Sequence, residues 1–340
     1  MKKKLLEILA AVRSTTLTSA LPTMLATALL LLPLPNLANS LSGDDKARLL
    51  TSLNHAIGEQ YVMIENIGQI ERSLSILADS RDFQQLDDAT AVAITISDVL
   101  RQHDQHFTVQ FSVPDNTAPK PKAGEDWFTR LDRKNAGFNK VEILDGNVGY
   151  IEFWGFAELT EKSRARAEAV MLMVADTEAL IFDLRNNGGG SAAMDQLLSS
   201  YLFDGKTQLN SIYSRPTNTT TEYWTNENIS GAKRPNTPVY LLTSKETYSA
   251  AEAFAYSLKH LERATLIGEA TKGGANPWQF FPLVDGFRAG IPVAKAVNPV
   301  TNSNWEGSGV MPDIQTSRED AFAVAYKMAL TEVKSRVIDP

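Results

Sequence analysis

Residues 179–190 read ALIFDLRNNGGG. The run from Ala179 to Leu184 is the near-continuous apolar segment that a strand needs when both faces of its sheet are covered. Asn186, Asn187, Gly188, Gly189 and Gly190 then make a turn, and a helix is expected over 191–202. Upstream lie a strand from Val148 to Phe153 and a helix near 161–174. Downstream, Tyr213 to Thr225 reads as a polar hairpin or flap. The strand–turn–helix unit then repeats: a strand over Val239 to Thr243, a loop over 244–248, and a helix over 249–261 whose buried face carries Ala253, Phe254, Leu258 and Leu261. Another strand follows at 264–268, and a closing helix at 320–333. Strands alternating with helices make residues 146–340 an α/β domain built on a parallel sheet.

Working back from that domain, Asp44 to Leu100 shows apolar residues at three-and-four spacing (Leu49, Leu50, Leu53, Ile57, then Ile64, Ile67, Ile70, Leu74). An N-terminal helical subdomain of about three helices is expected over 41–112. Phe107 to Phe111 alternates as a strand. Residues 113–145 form a linker and first strand region that opens with the Pro, Lys and Asn-rich stretch from Pro114 to Gly124. At the start, Lys2, Lys3, Lys4 and Arg13 precede an uncharged stretch and the small-x-small pattern Ala38-Asn39-Ser40, which reads as a secretory signal over 1–40. The competing reading is an uncleaved anchor, although Pro22, Pro33 and Pro35 interrupt the helix that would have to cross ~30 Å of hydrocarbon. Export to the periplasm or beyond follows, with the membrane met only through that segment. Cleavage would take the net charge from −7 to −10, which disfavours nucleic acid as a partner. With no cysteine, the chain has neither disulfides nor a thiol nucleophile.

In parallel α/β sheets ligands gather beyond the carboxyl ends of strands, where the glycine loop and the turn at Ser249 both fall. A serine at a helix amino terminus sits beside unpaired amides and partial positive charge, yet serine is also simply a favoured N-cap. Of the four histidines (His55, His103, His106, His260), His106 stands out because Asp104-Gln105-His106-Phe107 joins the helical region to its strand. Glu306, in Asn304-Trp305-Glu306-Gly307, is either a surface acid or a carboxylate able to orient a base. The histidines show no ligand pair at helical spacing, so no metal and no cofactor is expected.

These segments resemble, in order, the tail-specific or C-terminal-processing serine protease family, in its interphotoreceptor retinoid-binding-protein and tricorn-core-like branch. The resemblance is carried by 179–190, by 243–259 (TSKETYSAAEAFAYSLK), by 268–275 (GEATKGGA) and by 304–313 (NWEGSGVMPD). It implies a crotonase-like core of β-β-α units behind a helical cap, without a PDZ domain. It also implies Ser249 as nucleophile, His106 as general base and Glu306 as supporting acid, with oxyanion donors from Gly188 or Gly189 and from the amide of Ala250.

Two departures bear on that set. The bacterial processing branch uses a lysine where this chain has Gly274; Lys272 lies two residues earlier, and strand alternation would aim it to the same face. The serine that precedes the histidine in tricorn-type sites is Gln105 here; if Gln105 cannot bridge, Glu306 orients His106 poorly, which lowers activity without changing the assignment. The expected function is exported serine-type peptide hydrolysis through an acyl-enzyme, acting on peptides or unfolded proteins. The alternatives are an esterase and a non-catalytic binding module for an apolar ligand on the same fold. Nothing in the sequence sets the oligomeric state.

Overall fold

Ser42 accepts a hydrogen bond from the Asp45 amide and Asp45 Oδ2 takes the Ser42 amide, a reciprocal cap that starts helix α1, Gly43–Gln60. In this computed structural model the described residues are 40–112 and 126–338. The leader reading therefore lies outside them except at Ser40, as does the whole of the 114–124 loop. Helices α2 (Ile67–Asp79), α3 (Arg81–Gln85) and α4 (Ala89–Leu100) follow, one more than the spacing predicts, because Ser80 stops one helix and caps the next. Their apolar faces, with Leu53, Ile57, Ile70, Val92 and Ile96, close on a small antiparallel sheet. That sheet has the order β1-β10-β9, from β1 (Thr108–Phe111), β9 (Trp278–Pro282) and β10 (Phe287–Pro292). Two of its strands come from far along the chain, so the helices share one core with residues 278–292.

The larger sheet has the order β12-β8-β7-β4-β3-β2. Its members are β2 (Phe138–Leu144), β3 (Val148–Phe153), β4 (Ala179–Asp183), β7 (Val239–Thr243), β8 (Thr265–Gly268) and β12 (Ile314–Gln315). All neighbours are parallel except the β2–β3 hairpin. Every residue of β4 and β7 is buried, as a sheet covered on both faces requires. One face packs on α9 (Ala321–Ile338) through Ala321, Ala325 and Ala329. The other face is covered by α5 (Trp127–Arg133), α6 (Glu161–Met173), α7 (Ala192–Ser200) and α8 (Ala250–His260), with Phe182 and Phe254 at its centre. The expected hairpin is present as β5 (Gln208–Ser214) and β6 (Thr219–Trp224), and β5 also pairs with β11 (Ala294–Val297). Among the described residues no helix is long and apolar enough to cross a membrane.

Candidate active site

Parallel neighbours end at the same edge, so the turns after β4 and β7 meet there. The two turns interlock: the Tyr248 amide donates to Asn187 O at 3.0 Å, Thr247 Oγ1 to Leu184 O at 2.8 Å and Ser244 Oγ to Arg185 O at 2.7 Å. Ser249, between β7 and α8, has φ 55° and ψ −119°, a strained conformation for a residue with a side chain. A Cβ on Gly189 would lie 2.7 Å from the Ala250 nitrogen and 2.8 Å from Ser249 Cβ. The glycine loop and the Ser249 elbow are therefore in van der Waals contact, which only glycine permits.

Glu252 holds the elbow from within. It is fully buried and accepts from the amides of Ser249 (2.8 Å), Gly273 (2.6 Å) and Gly274 (2.9 Å) and from Thr271 Oγ1 (2.5 Å). Burial pushes its pKa up to about 7 against those four donors, which favour the anion. The Ser-x-x-Glu spacing of 249–252 is a capping-box pattern that would have pointed to Glu252.

His106 arrives from the other lobe, in the connection between α4 and β1. It is only 7% exposed, stacks on Tyr248 with ring centroids 4.7 Å apart, and lines one cavity of about 400 Å³ with Ser249, Ala250, Gly190 and Gly274. Burial, with Lys272 nearby, pushes its pKa down to about 4, leaving a neutral imidazole at neutral pH. Its Nδ1 is buried without a hydrogen-bond partner among the described residues.

Ligand atoms of Asp104, His106 and Glu306 lie within 4.8 Å of one another. Glu306 accepts from the Gln105 amide at 3.1 Å and from the Ala275 amide at 2.5 Å, so it spans the two lobes. Asp104 accepts from the His106 amide at 3.0 Å and from Asn276 Nδ2 at 2.7 Å. Burial, and the repulsion of two neighbouring carboxylates, raises the pKa of Asp104; burial raises that of Glu306. The same three residues are the group among the described residues with donors set for a cation.

The sequence-derived residues thus converge, with three differences. Gly188 N donates to Trp154 O at 3.1 Å and Gly189 N to Asn187 Oδ1 at 3.0 Å. The neighbouring amide with no acceptor among the described residues is that of Gly190. Gln105 meets Glu306 through its backbone, while its side chain turns to Arg101 O at 3.1 Å. Residues 270–277 are not a strand, so alternation does not apply to Lys272. Its ammonium sits 4.6 Å from the centre of the Tyr248 ring and lines a cleft with Arg101, Gln105 and His106; His106 borders both this cleft and the Ser249 cavity, whereas Lys272 does not line the latter. Asp104, Asn187, Tyr248 and Asn276 were not legible as parts of the site, because their roles depend on partners remote in sequence.

The profile of peptidase family S41 matches residues 147–316. A carboxyl-terminal-processing protease of Synechocystis sp. is 31% identical over 167 residues, covering 49% of this chain and 37% of that protein. The carboxy-terminal processing protease CtpB of Bacillus subtilis is 26% identical over 192 residues, 54% of this chain and 37% of that protein. The chain thus spans well under half the length of these relatives. Among solved structures, a protein of Parabacteroides merdae has a TM-score of 0.60 at 17% identity, covering 85% of this chain and 97% of that one. A lipoprotein of Streptococcus agalactiae has a TM-score of 0.54 at 19% identity, covering 87% and 97%. The mixed α/β fold of the chain matches these structures, and its core is consistent with a crotonase-like arrangement of the family.

Proposed function

Because the chain belongs to peptidase family S41, we propose that it hydrolyses peptide bonds by serine acyl transfer, with Ser249 as nucleophile and His106 as general base. The observation that carries this reading is the shared cavity of Ser249 and a neutral, buried His106. His106 takes the Ser249 hydroxyl proton as Oγ attacks the carbonyl carbon. The oxyanion is met by the Ala250 amide, at the start of α8, and by the glycine loop. Gly190 suits that role in this state because the amides of Gly188 and Gly189 are engaged. His106 then protonates the leaving amine, and water, activated by the same imidazole, releases the acyl group.

Glu306 and Asp104 are the carboxylates set close to the imidazole, and the backbone amide of Gln105 ties Glu306 to the His106 segment in place of a bridging side chain. The substrates are peptides or partly unfolded proteins, and residues 1–40 direct export; the mass of the mature protein from fractionated cells tests the latter.

Ser249→Ala is expected to lower peptide hydrolysis at least about a thousandfold and to abolish fluorophosphonate labelling while the melting curve stays in place. His106→Ala should follow it, and Lys272→Met should stay within about threefold of wild type, since Lys272 is absent from the cavity wall. Full hydrolysis by Ser249→Ala ends the proposal. Loss in Lys272→Met with retention in His106→Ala replaces the base.

A further inference from the structure

Asp195 takes no part in the serine chemistry, yet it lines the same cavity as Ser249. It sits in the first turns of α7 and is only 6% exposed. Its Oδ1 accepts from Ser199 Oγ at 3.0 Å, while Oδ2 has no hydrogen-bond partner among the described residues. No cation among the described residues pairs with it, and burial pushes its pKa up to about 7. Phe128, Leu209, Ile212, Ala253 and Ala296 make the surrounding wall apolar. A carboxylate withdrawn from water without a countercharge is strongly disfavoured, and the amino-terminal amides of α7 offset only part of that.

An apolar wall carrying an unpaired carboxylate complements an alkyl chain that ends in a cation. We propose that this cavity receives the side chain on the acyl side of the scissile bond, and that Asp195 selects lysine or arginine there. The inference rests on the serine-peptidase reading: an acyl carbon at Ser249, with its oxygen toward Ala250, leaves its side chain within the cavity those residues line. An aspartate or glutamate side chain would meet like charge. A norleucine side chain would fill the same apolar wall and leave the carboxylate unpaired.

The test is the ratio of kcat/KM for a peptide with lysine at that position to one with norleucine, measured within each variant so that a general loss of activity cancels. Wild type should favour lysine by about a hundredfold. Asp195→Asn, which keeps an acceptor for Ser199, should bring the ratio near one, and Asp195→Glu should keep a cationic preference shifted toward the shorter ornithine. A wild-type ratio at or below one, or an unchanged ratio in Asp195→Asn, overturns the inference while leaving the peptidase reading intact. If no peptide is cleaved and Ser249 resists fluorophosphonate, it is the peptidase reading that has failed. The pocket is then judged alone by titrating n-butylammonium against 1-butanol. Tighter ammonium binding that Asp195→Asn abolishes supports the cation site, and equal binding by both proteins rejects it.

Discussion

At the scale of single residues, Gly274 packs directly against the ring proposed as the general base. A Cβ there would fall 2.2 Å from Tyr248 Cε2 and 2.8 Å from His106 Cε1, so the room a longer side chain needs is already filled by two stacked rings. Gly274→Ala is therefore expected to displace His106 and cut kcat about a hundredfold, a loss that steady-state kinetics will read beside a small change in melting temperature. Glu252 carries a different load. All four of its partners are donors, so Glu252→Gln sets an amide NH₂ against N–H or O–H groups. Urea denaturation should show a loss of about 2–4 kcal/mol, larger than an ordinary lost hydrogen bond, because buried donors are left unsatisfied.

At the scale of elements, the site is the junction of two strand–turn–helix units. The register of β4 against β7, Asp183 opposite Leu242, brings both turns to one edge. Asn187 ties the first turn to β3 by donating to Phe153 O at 2.9 Å while its Oδ1 takes the Gly189 amide at 3.0 Å. Gly189 has φ 84°, and an added methyl would strike Tyr248 O at 2.6 Å. Gly189→Ala should destabilise the fold by about 1–3 kcal/mol from the backbone alone and separate the glycine loop from Ser249, so that labelling of Ser249 falls more steeply than stability. The strand–turn–helix grammar around 179–190 and 239–261 was readable because apolar runs and glycine turns are local signals. That Gly190, rather than Gly188 or Gly189, holds the unengaged amide was not readable, since it depends on where Trp154 O and Asn187 Oδ1 come to rest.

At the scale of the whole molecule, His106 and Ser249, the proposed base and nucleophile, belong to different cores, joined by Glu306 between Gln105 and Ala275 and by Asp104 on Asn276. That seam concentrates buried titratable groups, and stability should depend on pH accordingly. Asp195 and Glu252 have folded pKa values raised to about 7, so they contribute stability that is full below their unfolded values and lost as pH rises through 7. His106, lowered to about 4, acts oppositely: its contribution is lost as pH falls from about 6.5 toward 4. Above about pH 6.5 the carboxyls dominate: Asp195 and Glu252 together should lower stability by about 1–2 kcal/mol between pH 6.5 and 8, and Asp104, whose pKa burial and Glu306 raise to about 8, adds to that fall. Denaturation at both pH values, with Asp195→Asn flattening the slope, checks this.

The order of strands and helices from Val148 onward, and Ser249 at the start of a helix, followed from the amino-acid sequence itself, because hydrophobic periodicity and turn chemistry act over a few residues. The pairing of β1 with β10, some 180 positions apart, left no local mark. Nor did the seating of an imidazole against a tyrosine ring, the closure of four donors on Glu252, or the burial of Asp195 beside the serine. Those were decided by tertiary packing, which alone sets which distant groups share a dry volume and which charges go unpaired within it.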